Sequence, residues 1–404
     1  MLNGYKAKKS VSSRKKIFFL CSRIPYPLEK GDKLRIYHQI RHLSKSHDVY
    51  LCVVSNQKLS DLAEDELSKI CVKLFVYESK LSSILANLMV SLFSGIPFQV
   101  GFFFNSGADF FIKKVIAQVK PDHIFVQLLR MSEYVKDIRG IPKTLDYMDS
   151  FSMGMKRRKE KEKSLKKWLY HFENKSLERY EEYIFPYFDH HMIISEQDKQ
   201  SLVFDAAQKI HVVPNGVDSE FFAADESIEK KYDIIFTGNM SYPPNVVAVE
   251  LIAKEILPVI WKTKPDCNFL IAGADPSVVV AGLANDKITV TGWLDDIRSA
   301  YYEGRVCLTP LNIGTGLQNK ILEAMSMGIP CITSELANNA VGAIADEQIL
   351  IGRTPDDYAQ HVLRLLDDPQ ERKRIGVAGK KHVVNNYHWE SVVAKMESIM
   401  ELNS

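Results

Sequence analysis

At 404 residues the chain exceeds what one hydrophobic core ordinarily organises, so two domains of roughly 150–200 residues are expected. Apolar residues make up 46% and charged residues 25%, which excludes a disordered or fibrous chain. A net charge of +2 argues against a dedicated nucleic-acid binder, although residues 1–220 carry +9 and the remainder −7.

The first residues are basic (Lys6, Lys8, Lys9, Arg14, Lys15, Lys16) and lead into Ile17–Cys21, a run too short for a signal-peptide core. A frayed tail before a first strand is expected, and with it a cytoplasmic protein. Strand-like runs then alternate with helical patterns. Lys16–Cys21 reads as a strand, residues 22–33 as a Pro/Gly loop and Leu34–Lys45 as a helix. Val49–Val54, Lys73–Tyr77, His123–Leu128, Lys143–Tyr147, His191–Ile194 and Ile210–Val213 continue the strand series. After the turn-rich Pro214-Asn215-Gly216-Val217-Asp218 a second series follows: Tyr232–Phe236, Asn268–Ala272, Lys287–Thr291, Val306–Thr309, Pro330–Thr333 and Gln348–Ile351. Such alternation predicts two parallel α/β domains, 1–213 and 214–385, with a ligand at strand C-terminal ends. The last helix, about Trp389–Leu402, fits either domain by periodicity.

Six cysteines (21, 52, 71, 267, 307, 331) lie in or beside apolar runs and none forms CxxC. They read as small buried hydrophobes in a reducing compartment rather than a zinc or disulfide framework. Between Lys80 and Asp109 no residue is charged, but Ser, Asn, Gly, Pro and Gln interrupt the stretch. A buried or interfacial helix pair is expected there, not a membrane span. The run from Lys156 to Lys167 carries a net +6 and is followed by Trp168-Leu169-Tyr170. It reads either as a solvated helix or as a patch for an anionic membrane surface.

The chemistry concentrates in Val306–Ser334. A strand ends at Pro310, Asn312-Ile313-Gly314-Thr315-Gly316 form a tight loop, and Gln318–Met327 reads as a helix ended by Gly328. Loop amides at a helix N-terminus attract anions, because the N–H groups are unpaired and the dipole is positive there. Lys320 in the first turn opposes that dipole unless an anion neutralises it. Glu323, one turn on, offers a carboxylate for the two hydroxyls of a ribose. Alternatively the two form an ordinary exposed i, i+3 ion pair. Leu317-Gln318 after Gly316 rules out a Walker A loop, and Asn319 stands where a dinucleotide fingerprint needs glycine.

The run Thr315-Gly316-Leu317-Gln318-Asn319-Lys320-Ile321-Leu322-Glu323-Ala324-Met325-Ser326-Met327-Gly328-Ile329-Pro330 resembles the nucleotide-sugar motif of family 4 glycosyltransferases of GT-B fold. Gly31 after the first strand, Val213–Asp218, Phe236-Thr237-Gly238, Val290-Thr291-Gly292-Trp293 and Tyr387-His388-Trp389-Glu390 resemble further features of that family in the same order. The arrangement is also similar to sugar transferases of exopolysaccharide loci. The resemblance implies an α/β fold of two Rossmann-like parallel-sheet domains facing across a cleft. The first, 1–213, would bind acceptor and the second, 214–385, the nucleotide sugar, with a helix at about 386–404 packing back on the first.

By the same resemblance Gly31, Gly238, Gly314, Thr315, Gly316, Leu317, Lys320 and Glu323 would bind a nucleotide-diphosphate sugar. The sugar would pass, with retained configuration, to a lipid-linked or polysaccharide acceptor, without cofactor or metal. Three departures stand out. Thr315 replaces the first glutamate of the family's pair, so only Glu323 carries over. Asn239, Met240 and Asn245 occupy the stretch where an Arg and a Lys are usual, which leaves Lys320 most of the charge on the diphosphate. Phe125 and Gln127 occupy the strand that usually carries a histidine, leaving Asp146 and Asp149 as the nearest polar candidates for acceptor or transferred sugar; otherwise they are solvated loop carboxylates. Together with Glu323 they complete the expected catalytic set. The departures keep two rivals open: a nucleotide-sugar epimerase on the same scaffold, and a non-catalytic nucleotide-sugar binder. The expected place of work is the cytoplasm, peripheral at the inner face of the cell membrane.

Overall fold

The computed structural model describes residues 14–79, 96–162, 164, 166–218, 221–223, 225, 227–312 and 317–402. The strand runs read from the sequence all form strands, with ends shifted by one or two residues. In the first sheet these are β1 (Lys16–Cys21), β2 (Asp48–Ser55), β3 (Lys73–Glu78), β4 (His123–Gln127), β5 (Lys143–Asp146), β6 (His190–Ile193) and β7 (His211–Val212). The second holds β8 (Tyr232–Thr237), β9 (Phe269–Ala272), β10 (Ile288–Val290), β11 (Gly304–Thr309), β12 (Cys331–Thr333) and β13 (Leu350–Ile351). Every pairing within the two sheets is parallel. The orders are β3-β2-β1-β4-β5-β6-β7 and β10-β9-β8-β11-β12-β13. In each, the chain winds outward on one side and returns to build the other, so the order reverses beside the first strand. Such a switch point leaves a crevice at the strand C-terminal ends.

Two compact units result: Met1–Ile193 with Lys199–Val213 and Val393–Ser404, and Ile194–Asp198 with Pro214–Val392. The helix Trp389–Ile399 begins in the second unit and ends in the first. Its far end is tied down there by Ser46 Oγ, which donates to Glu397 Oε1 at 2.8 Å, and by Lys15 Nζ, which donates to the Glu401 carbonyl at 3.2 Å.

Helices on both faces explain why β1 is apolar at every position from Ile17 to Cys21, all fully buried. The six cysteines are buried and free. Of the uncharged stretch 81–108, residues 81–95 lie outside the described residues; Phe98–Phe103 and the start of Ser106–Val119 are helical. Among the described residues no helix is long and apolar enough to cross a membrane.

The second sheet carries a close backbone approach just past its strand ends. Gly238 N–H donates to the Ala272 carbonyl at 3.0 Å, and Gly273 N–H donates to the Gly292 carbonyl at 3.1 Å. A Cβ on Gly273 would lie 1.8 Å from the Gly238 oxygen, and Gly273 has φ +141°. Gly273→Ala is therefore expected to cost more than the ~1–3 kcal/mol of an unfavourable backbone conformation alone. Urea unfolding of the variant measures this, and a loss below 1 kcal/mol would show that the two loops part easily.

Candidate functional site

The helix Asn319–Ser326 buries Ile321, Leu322, Ala324 and Met325 in the core of the second unit. It stops where Ile329 N–H reaches back to the Ala324 carbonyl at 3.0 Å and Gly328 takes a left-handed φ of +73°. That packing fixes where the polar face points. The Lys320 side chain does not stand out as an exposed pair with Glu323. It turns inward to the end of β8, where its Nζ donates to Asn245 Oδ1 at 2.5 Å and sits 4.2 Å from the Phe236 ring centroid. The space it uses is the space Gly238 leaves: a Cβ there would come within 3.1 Å of Nζ.

Burial pulls the Lys320 ammonium down to about 7, with Cys307 and Glu323 pushing back. Its hydrogen-bond partner is a neutral amide, so among the described residues no carboxylate at bonding distance compensates the charged form. Asn245 is itself held, donating from Nδ2 to the Asn239 carbonyl at 2.8 Å. The expected contribution of this stretch is thereby revised: Asn245 does not merely stand where a cation is missing but orients the cation that remains.

Glu323 is gripped from the other side. Tyr301 Oη donates to Glu323 Oε2 at 2.8 Å and also lies 2.7 Å from Thr237 Oγ1. Tyr301 is fully buried, and burial together with the neighbouring carboxylate keeps its hydroxyl protonated. Burial raises the Glu323 carboxyl, opposed by the Tyr301 bond and by Lys320. Leu317 packs on the same core. Trp293, in the loop after β10, is 63% exposed and follows Gly292, which accepts from Gly273. Within the second unit the structure thus gathers Gly238, Leu317, Lys320 and Glu323 at the C-terminal ends of β8 and β11. Gly314, Thr315 and Gly316 lie outside the described residues.

The first-unit candidates separate. Gly31 opens the helix Gly31–Leu43, and a Cβ there would meet nothing within 4 Å. Asp146 is fully buried; its Oδ2 accepts from Arg35 Nε at 2.6 Å and Gln39 Nε2 at 3.3 Å, and its Oδ1 from Met148 N–H at 3.1 Å. This corrects the expectation of a carboxylate open to acceptor, because its oxygens are spent anchoring Arg35 beneath the sheet end. Asp149 is exposed in the turn beyond. Gln127, on the strand expected to carry a histidine, is buried and donates to the Asp32 carbonyl at 2.7 Å.

Sequence reasoning missed Tyr301 and the bridging part of Asn245. Nothing in Arg298–Glu303 distinguishes Tyr301 from an ordinary core aromatic. The Pro243-Pro244-Asn245 helix start was a visible signal only for a turn of helix beside Gly238.

The second unit is thus a doubly wound α/β domain with a buried lysine and a clamped carboxylate at its switch point. Residues 231–368 match the family described as "Glycosyl transferases group 1". The chain is 23% identical over 408 residues (94% of this chain, 98% of the relative) to an uncharacterized 44.6 kDa protein in the cps region of Klebsiella pneumoniae. It is 25% identical, over 66% of this chain and 70% of the relative, to the Escherichia coli UDP-Gal:alpha-D-GlcNAc-diphosphoundecaprenol alpha-1,3-galactosyltransferase. Among solved structures, Anabaena Alr3699/HepE in complex with UDP matches with a TM-score of 0.69 at 11% identity, over 96% of this chain and 99% of that one. The second unit thus carries a group 1 glycosyltransferase domain over residues 231–368, and the fold of the chain is GT-B.

With burial lowering the Lys320 ammonium to about 7, anion binding at this site would depend on pH in a definite direction. Below that value Lys320 is charged before an anion arrives; above it, binding a diphosphate must draw in a proton. Affinity for UDP or GDP is expected to fall as pH rises from 7 to 9, by up to about tenfold per unit. Calorimetric titration at several pH values reads this. The slope should vanish in Lys320→Met, and an equal slope in that variant would remove Lys320 from the site.

Proposed function

We propose that the protein transfers a glycosyl residue, with retention, from a nucleoside-diphosphate sugar to a lipid-linked or polysaccharide acceptor in cell-surface or exopolysaccharide synthesis. One observation carries this reading: a buried ammonium whose hydrogen-bond partner is neutral, one helical turn from a tyrosine-clamped carboxylate. Lys320 would hold the diphosphate and stabilise the departing charge, while Glu323 would hold the ribose. Gly31 would approach the donor with its backbone, Gly238, Leu317 and the Gly314–Gly316 amides would line the donor, and exposed Asp149 is the first-unit carboxylate left for the acceptor. Support comes from relatives: one is named for a UDP-sugar and a diphosphoundecaprenol-linked acceptor, another lies in a cps region.

The test is product analysis with candidate nucleotide sugars. UDP or GDP should be released in quantity only when acceptor is present, and release should survive excess EDTA. Glu323→Ala should weaken donor binding roughly 10–100-fold, as loss of a charged hydrogen bond implies. Turnover of donor to an epimer without acceptor, or unchanged donor affinity in a folded Glu323→Ala variant, would overturn the assignment.

We further propose that the first unit rests on an anionic membrane face. The helix Phe151–Lys161 carries Lys156, Arg157, Arg158 and Lys159, and the next helix, Lys166–Ile184, begins with Lys166, Lys167 and Trp168. Trp168 is 72% exposed and stacks on half-exposed Phe172, an apolar cap between cations. Each cation near an anionic surface contributes about 1 kcal/mol, reduced by salt. The protein should pellet with anionic but not neutral vesicles, and exchanging Lys156, Arg157, Arg158 and Lys159 for Glu should abolish this while sparing UDP or GDP affinity. Equal pelleting of that variant would make the patch a solvated surface.

A further inference from the structure

The first unit holds a second polar crevice, at the C-terminal ends of β1, β2 and β3. A pocket of about 260 Å³ opens between Ser22, Ser55 and Ser79, which follow or end those strands, and the first turn of the helix Gly31–Leu43. Its chemistry is cationic. Arg23, Lys30 and Lys33 line it against one carboxylate, Glu29. Arg23 is pinned by Asp32, whereas Lys30 is exposed at the rim.

Lys33 is the informative residue. It is 6% exposed, yet its Nζ lies 3.6 Å from Glu29 Oε2, beyond a good hydrogen bond, and that carboxylate is about half exposed. The ion pair is therefore a loose one and leaves the ammonium able to take a further oxygen from the pocket. Ser22 provides an independent sign: it is 4% exposed, and among the described residues its Oγ finds no partner. Facing one cavity are therefore a buried hydroxyl without a partner and an ammonium held only by a long ion pair, and a multi-oxygen anion offers acceptors to both. Phe102–Phe104 add an aromatic stretch to the lining.

We propose that this pocket binds the phosphate end of a lipid-linked acceptor. Lys33 and Ser22 would take phosphate oxygens, Lys30 would attract the group from solvent, and Phe102–Phe104 would receive the first part of its hydrocarbon chain. The proposal rests on the transferase reading above and gives the acceptor its chemistry.

The experiment titrates the full-length protein with geranyl diphosphate, inorganic pyrophosphate and geraniol, each in saturating UDP. Affinity for UDP is measured separately. Geranyl diphosphate should bind, pyrophosphate more weakly and geraniol not at all. Lys33→Gln should weaken geranyl diphosphate by about tenfold or more and leave UDP affinity unchanged. Lys30→Glu, at an exposed position that cannot upset folding, should weaken it several-fold. Unchanged binding in both variants, or loss through Lys320→Met instead, would overturn the site. Equal affinity for pyrophosphate and geranyl diphosphate would overturn the lipid assignment. Absence of UDP binding with this pocket's behaviour intact would reject the transferase reading and not the pocket.

Discussion

A parallel strand that is paired on both edges and covered on both faces has one place for a working polar group: its end. Ile17–Cys21 of β1, Ile124–Val126 of β4, Ile234–Phe236 of β8 and Val306–Leu308 of β11 are buried to zero exposure, and a charge there would have no compensation. Polar chemistry is therefore pushed to the C-terminal rim, where loops and helix starts supply N–H groups and where the reversal of strand order opens a crevice. Thr237, Gly238, Gly273, Lys320 and Glu323 all sit at that rim in the second unit. In the first unit the same constraint collects Ser22, Ser55, Lys30 and Lys33.

Within the second unit, two buried groups are tuned in opposite directions by the same cause. Burial lowers Lys320 and raises Glu323, so each is moved toward its neutral form. What keeps them useful is the choice of partner. Tyr301 stabilises the Glu323 carboxylate by donating a hydrogen bond, while Asn245 accepts from Lys320 without adding charge. A carboxylate in place of Asn245 would hold the ammonium charged but would also repel a diphosphate. The neutral amide positions the cation without neutralising it.

The sheet was legible because its strands are short apolar runs bounded by Gly, Pro and Asn, and burial on both faces makes that signal continuous. The helix carrying Lys320 and Glu323 was legible from its apolar spacing and terminal Gly328. Which way Lys320 turns was not. That depends on Gly238 lacking a Cβ and on Asn245, residues separated from it by about 80 positions in the chain. Asp146 was misread for the same reason. A carboxylate at a strand end looks available in a sequence, but its partner Arg35 stands 111 residues earlier, and packing brings the two to 2.6 Å. Tyr301 gave no signal, since a tyrosine that bonds a carboxylate and one that fills a core have the same neighbours in the chain.

The two rims differ in how they meet an anion, and the difference follows from exposure. In the second unit the cation is deeply buried, so an anion there would meet it at low dielectric, at the cost of keeping it protonated. In the first unit Lys30 is exposed, Lys33 buried and Arg23 neutralised by Asp32, a gradient from solvent to pocket floor. An exposed lysine contributes attraction at a distance that salt screens, whereas a buried one contributes binding that salt hardly touches. A pocket built this way admits charged ligands readily but retains those that place oxygens at the floor, where the Ser22 hydroxyl and Lys33 ammonium lie. A ligand carrying charge and an apolar tail satisfies both the floor and the aromatic lining, and a free sugar satisfies neither.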